Sequence, residues 1–269
     1  MRKYRISPIR LLQKKKYKVK KTNKDLDAPE TTLKHREIIL GKTFLKKLYT
    51  EWYSNFKNDL SGIPEGVILE IGSGGGFLKE VVPQVTTSDI LPLSTCDMCM
   101  SADKIGFPND SVSAIFMLNV LHHIPNVELF FLEAQRVLKS NGIIYMIEPA
   151  NTWFSRMIYT TIHHEPFNPK AKDWHFATTG PLSGANGAIP WLVFKRDIKK
   201  FEHLFPLLKL ILFKPHTPFR YLLSGGLSFF SLFPGFMFGP VTSFEKLFTP
   251  LFPKLGMFQT IKLVKSNAQ

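Results

Sequence analysis

Between residues 40 and 60 large apolar side chains recur every four positions: Leu40, Phe44, Leu48, Trp52, Phe56 and Leu60, with Leu45, Tyr49 and Tyr53 widening the stripe. That period predicts an amphipathic helix, entered behind Pro29 with Thr31 or Thr32 as N-cap. From residue 66 the pattern changes to short apolar runs separated by helical stretches. VILEI (67–71), VTTSDI (85–90) and SAIFML (113–118) read as strands. PNVELFFLEAQRVL (125–138) reads as a helix opened by Pro125, and NGIIYMIEP (141–149) as a strand entered through an Asn-Gly turn. Strands alternating with crossover helices predict a parallel sheet covered on both faces, with ligands at the carboxyl ends of its strands.

The expected fold is therefore α/β, a Rossmann-like doubly wound and mostly parallel sheet. It would carry an N-terminal helix and an aromatic-rich C-terminal cap or insertion. The expected units are an arm (1–30), the N-terminal helix (31–65), a core (66–150), an insertion (151–256), and a closing strand with tail (257–269). MFQTIKLVK (257–265) alternates as that closing strand should. Residues 221–244 hold no charge, long enough for a membrane span, but Pro234, Pro240 and four glycines interrupt them. A buried cap over an apolar ligand, or an interfacial element, fits them better than a spanning helix. Of the 24 phenylalanines, 13 lie beyond residue 200, which gives this region its aromatic character.

Charge changes the picture in one place. The formal net charge is +14, yet residues 1–24 alone hold 11 Lys/Arg and no acid, leaving 24 basic against 21 acidic residues elsewhere. The basicity belongs to an arm, expected either to be solvated or to contact anionic lipid headgroups. Cys96 and Cys99 are the two cysteines of 269 residues, which excludes a disulfide scaffold. No apolar run of signal-peptide length opens the chain, so a cytoplasmic location is expected, with peripheral residence on the inner face of the membrane.

The stretch EIGSGGGF, Glu70 to Phe77, carries the chemistry. A strand ends at Glu70 and runs into glycines that let the backbone approach a ligand closely. Asp89 ends the next strand, 17 residues after Gly72, where a carboxylate can accept from both hydroxyls of a ribose. A dinucleotide fingerprint begun at Gly72 requires glycine at 77, where Phe77 stands, and Glu70 would oppose phosphates. An acid there suits a ligand bearing an ammonium group. On these residues the sequence resembles the class I S-adenosylmethionine-dependent methyltransferases, the small-molecule group with an ExGxGxG first motif. It is also similar to bacterial members with an extended C-terminal region. SADKIGFPNDSVSAIFMLNVLHHI and FFLEAQRVLKSNGIIYMIEP extend the likeness to about residues 66–149, with Ser101 and Ser113 standing where the family often has acids. The resemblance implies S-adenosylmethionine as cofactor. The residues implied to hold it are Glu70, Gly72, Ser73, Gly74, Gly76, Asp89, Ser101, Ala102, Asp103 and Asn119.

Methyl transfer to oxygen needs positioning and a base. His122 and His123 follow the fourth long run, and His163, His164 and Glu165 form a second polar cluster, so His122, His123, His164 and Glu165 are the catalytic candidates. Ser183 and Asn186 in the GPLSGANGA loop are candidates for a polar substrate group. Cys96-Asp97-Met98-Cys99 has the spacing of half a zinc site, but alternate side chains on a short strand diverge, and no metal is expected. The expected function is methyl transfer to a small-molecule or lipid-linked acceptor at a membrane surface, without an obligate protein partner. The alternatives are a catalytically inactive cofactor-binding or scaffold module, and an RNA methyltransferase. Asn119-Val120-Leu121-His122 lacks the Asn-Pro-Pro-Tyr type signature of base-amine methylation, so nucleic acid is not the expected partner.

Overall fold

A computed structural model describes residues 27–162, 165–178, 180 and 182–267. The basic arm up to residue 26, and with it the expectation of a lipid-contacting segment, lies outside the described residues. Seven strands form one sheet in the order β3-β2-β1-β4-β5-β7-β6. They are β1 (Val67–Ile71), β2 (Thr86–Asp89), β3 (Met98–Cys99), β4 (Val112–Leu118), β5 (Leu138–Pro149), β6 (Leu208–His216) and β7 (Phe258–Lys265). The pairs from β3 through β5 are parallel, and β7 runs antiparallel to both its neighbours. This is the expected α/β architecture.

Alternation along the central strands feeds two cores, one on each face of the sheet. Ile115 and Met117 of β4 pack in the cluster holding Phe130, Phe131, Phe194, Phe201 and Phe205. Their neighbours Ala114 and Phe116 pack in the other, with Trp52, Tyr53 and Phe56. A sheet buried on both faces explains why these strands read as continuous apolar runs rather than as half-polar ones.

Several boundaries differ from the sequence expectation. The N-terminal stripe is two helices, Pro29–Gly41 and Thr43–Asn58, broken at the extended residue Lys42. Thr31 and Thr32 sit inside the first of them. Ala28 is its N-cap and Pro29 takes the first turn, where a missing N–H costs nothing. The break is held by the Lys42 ammonium, which donates to the carbonyls of Gly226 and Phe229. The helix expected to open at Pro125 spans Val127–Val137, capped by Asn126, whose side chain accepts from the Glu128 and Leu129 amides. β5 begins at Leu138 instead of after an Asn-Gly turn, and Asn141 takes its left-handed φ of 63° within the strand.

The aromatic region folds as β6 and short helices, among them Arg220–Leu223 and Phe238–Lys246. No helix among the described residues is long and apolar enough to cross a membrane. This region docks on the helix Thr43–Asn58. Phe44 meets Phe238 edge-on at 5.2 Å, and buried Arg220 pairs with Glu51 at 2.6 Å and with Glu245.

Candidate active site at the carboxyl edge of the sheet

Because β1, β2, β3, β4 and β5 are parallel, their carboxyl ends bring Gly72, Asp89, Ser101, Asn119 and Glu148 to one edge. The glycine loop leaves β1 at Gly72 (φ 70°) and turns again at Gly74 (φ 50°), conformations that exclude most side chains. A Cβ at Gly72 would stand 2.5 Å from the Val120 side chain, and one at Gly75 would stand 2.7 Å from the Arg36 amide nitrogen. The loop is thus clamped between the segment after β4 and the helix Pro29–Gly41.

Two buried carboxylates flank the loop. Glu70 accepts from the Ser73 hydroxyl at 2.7 Å. Burial pushes its carboxyl up to about 7; the Ser73 hydrogen bond opposes this and nearby Asp89 adds to it. Asp89 accepts the Gly74 amide on one oxygen (2.8 Å) and the Leu91 amide on the other (2.9 Å). Burial raises its pKa, and those amides act the other way. Ser101 donates to Asp103 two residues on, and Ala102 packs against the core, so this segment continues the edge past β3. Asn119 closes β4 in the left-handed region at φ 57°. Its side-chain oxygen is buried and has no hydrogen-bond partner among the described residues.

Beyond Asn119 lies a second polar centre. Leu121–His123 forms one turn of 3-10 helix, which turns both histidines inward from the strand end. His122 Nδ1 lies 2.6 Å from a Glu148 oxygen, and the other oxygen of Glu148 accepts the Val120 and Leu121 amides, both at 2.8 Å. Glu148 is fully buried at the end of β5. His123 Nδ1 lies 3.2 Å from the Gly184 carbonyl. The two Nε2 atoms face Glu165, at 3.6 Å and 3.8 Å. Burial works against a charged His122, but the Glu148 carboxylate outweighs it and holds the imidazolium above its usual range. His123, buried beside His122, is pushed down to about 4.

Of the sequence candidates, His122, His123 and Glu165 therefore meet, whereas His163 and His164 lie outside the described residues. Asn186 spends its side chain on neighbouring backbone. It accepts the Asn168 and Ala188 amides and donates to the Asn168 carbonyl, while its own amide donates to the His122 carbonyl. Cys96 and Cys99 are free thiols, and Cys99 donates to the Ile90 carbonyl. Sequence reading missed Glu148 and Arg36. The signal for Glu148 was an acid closing an apolar strand at Ile147-Glu148-Pro149; nothing local marked Arg36.

A family model described as a methyltransferase domain matches residues 69–146, the segment holding the loop, Asp89, Asn119 and both histidines. The core has a Rossmann-like α/β architecture. Among solved structures, the YcgJ protein from Bacillus subtilis is similar at 13% identity and a TM-score of 0.46, covering 80% of this chain and 98% of that one. An S-adenosylmethionine-dependent methyltransferase from Mesorhizobium loti gives the same values. Geranyl diphosphate C-methyltransferase from Streptomyces coelicolor A3(2) is similar at 14% identity and a TM-score of 0.46, covering 90% and 87%. No curated protein matches the chain.

Proposed function

We propose that this protein transfers a methyl group from S-adenosylmethionine to a small-molecule acceptor. The observation that carries the reading is the pairing of Glu70 and Asp89, two buried carboxylates on adjacent parallel strands on either side of a clamped glycine loop, within the segment that matches the methyltransferase domain. The donor set fits the cofactor. Glu70 is an acceptor for an ammonium, Asp89 retains lone pairs for ribose hydroxyls, and the partnerless Asn119 oxygen supplies a further acceptor. Gly72, Ser73, Gly74 and Gly76 keep the backbone close to the ligand, and Ser101, Ala102 and Asp103 border the adenine side. When bound, S-adenosylmethionine supplies an electrophilic methyl group on a sulfonium. The chain's part is to orient it, to exclude water, and to receive the acceptor beside His122, His123 and Glu165; His164, next to Glu165 in the sequence, is the remaining candidate base.

The cavity beside the loop measures about 40 Å³ and is lined by Arg36, Glu70, Ser73 and Phe77 among others. That holds only a few waters at about 10–15 Å³ each. Cofactor entry on this reading requires the helix Pro29–Gly41 to move. Calorimetric titration with S-adenosylmethionine, with NADH as competitor and Asp89→Ala as control, tests the proposal. Micromolar binding lost in the variant is expected; preference for NADH, or no binding, overturns it.

A lipid-like acceptor met at a membrane surface is the finer form of this reading. It is favoured by the exposed apolar side chains of the C-terminal region, where Phe236 is 76% and Leu247 74% exposed and Phe229, Phe230 and Phe244 are exposed as well. The basic arm would add the second weak anchor that stable residence needs. Sedimentation with phosphatidylserine vesicles should fall on removing residues 1–24 and again in Phe236→Ser/Leu247→Ser; unchanged sedimentation sinks the membrane part alone.

A further inference from the structure

His122, His123 and Glu165 converge from two separate segments, and each presents one ligand atom so that all three lie within 4.8 Å of one another. The outward nitrogens are spoken for. The Gly184 carbonyl can only accept, so His123 Nδ1 carries the hydrogen and Nε2 keeps its lone pair. The Glu148 carboxylate likewise takes the Nδ1 hydrogen of His122, so the Nε2 proton of its imidazolium is the one a metal ion would displace. Both Nε2 atoms then face Glu165 at ion-pair rather than hydrogen-bond distance, His122 at 3.6 Å from Oε2 and His123 at 3.8 Å from Oε1. With metal–ligand bonds of 2.0–2.2 Å, neighbouring ligands of a tetrahedral ion stand about 3.4 Å apart. The spacing of the imidazoles and the carboxylate is close to that of three ligands around one ion, and a small closing of the two rings would match it.

We propose that His122 Nε2, His123 Nε2 and a Glu165 oxygen form a site for a divalent first-row transition-metal ion such as Zn²⁺. Two imidazoles and one carboxylate are a borderline donor set that favours such ions over Mg²⁺ or Ca²⁺. Glu148 and the Gly184 carbonyl are its outer shell, orienting each ring through the nitrogen that does not bind the metal. The Asn186 amide fixes the loop by donating to the His122 carbonyl, and the Gly187 amide donates to the Pro166 carbonyl next to Glu165. Three protein ligands leave coordination positions open. Glu165 (27% side-chain exposure) and His123 (18%) mark the side from which a further ligand enters. The ion's role rests on the methyl-transfer reading: it would take an acceptor oxygen, from a hydroxyl or carboxylate, as its next ligand and lower the pKa of a hydroxyl bound there. The acceptor class is then an oxygen nucleophile able to bind a metal.

Full-length protein stripped with chelator should take up one Co²⁺, with visible d–d absorption, and one Zn²⁺ that displaces it. His123→Ala and Glu165→Gln, checked for folding by circular dichroism, should each weaken Zn²⁺ by ~100-fold or more. Cys96→Ser/Cys99→Ser should leave binding unchanged. Absence of a one-to-one site in the wild type, or binding lost in the cysteine variant and kept in the other two, overturns the assignment. Titrating the same stripped protein with S-adenosylmethionine separates the two readings. Cofactor binding without a metal site refutes the ion alone, and a metal site without cofactor binding refutes the methyl-transfer reading alone.

Discussion

The Arg36 guanidinium donates to the Gly76 carbonyl, and through its other arm it pairs with Glu80 at 3.0 Å. One side chain thus ties the helix Pro29–Gly41 to the far end of the glycine loop and to the short helix after it. About 40 Å³ is free beside the loop, so a ligand entering there would have to displace this tether. Arg36→Ala should therefore speed association of S-adenosylmethionine several-fold in stopped-flow fluorescence. An unchanged association rate would mean that the ligand enters elsewhere.

Glu70 predicts a specific pH dependence. Its carboxyl rises from an ordinary 4.5 to about 7 in the folded protein, chiefly through burial, with Asp89 and Arg36 as its charged neighbours. Between those values the unfolded chain is ionised at this position while the folded one holds the proton, so the Glu70 contribution to stability falls as pH rises from about 4.5 to about 7 and is level above. The full difference is on the order of 3 kcal/mol. Buried His123 and His216, pushed down to about 4 and about 3, act in the opposite direction in both proteins, so the Glu70 slope should appear as the difference between wild type and Glu70→Gln in urea titrations from pH 4.5 to 8.

Binding should run the other way. A cationic ligand prefers ionised Glu70, so affinity for S-adenosylmethionine should improve up to about tenfold per pH unit below 7 and then level off. Calorimetry in buffers of different ionisation enthalpy would register the released proton. Glu70→Gln should bind more weakly and without pH dependence, and a retained slope would assign it to another group.

Glu148→Ala strips acceptors from the Val120 and Leu121 amides and from His122 at once, all in a buried setting. Removing one partner of a buried charged pair costs about 3–5 kcal/mol. The unfolding midpoint in urea should drop accordingly, while Glu148→Gln, which keeps an acceptor oxygen, should lose less. Equal losses would show that charge, rather than hydrogen bonding, holds the turn.

Gly72→Ala meets two obstacles, the Val120 side chain at 2.5 Å and a φ of 70°. Each is worth of order 1–3 kcal/mol. Adding Val120→Ala should recover the steric part and leave the conformational part, which thermal unfolding of the single and double variants would separate.

The sheet was legible wherever a strand was buried on both faces. β1 falls at Val67–Ile71 as expected and β4 within a residue of it, because a short apolar run between turn signals has few other ways to be satisfied. β6, at Leu208–His216, escaped notice: it is an edge strand, half exposed, with Lys209 and Lys214 facing water and Pro215 near its end. The first helix turned out to be two because Lys42 bonds to carbonyls some 184 residues away, and no local propensity encodes that.

The site divides the same way. Glu70, the glycines and Asp89 were readable because one strand–loop–helix and the next strand end create them, and their spacing is written in the chain. Of the second centre, His122, His123 and Glu165 were readable as candidates, but neither their convergence nor their partner Glu148 was. His122 stands 26 residues from Glu148, and His123 stands 61 from Gly184. Those partners meet only because parallel strands deliver their carboxyl ends to one edge and two loops fold across it. By itself the sequence determined the period of burial, and with it the sheet and the loop that local geometry forces. Tertiary structure decided which polar groups share a desolvated corner, since that depends on which chain ends the packed sheet brings together.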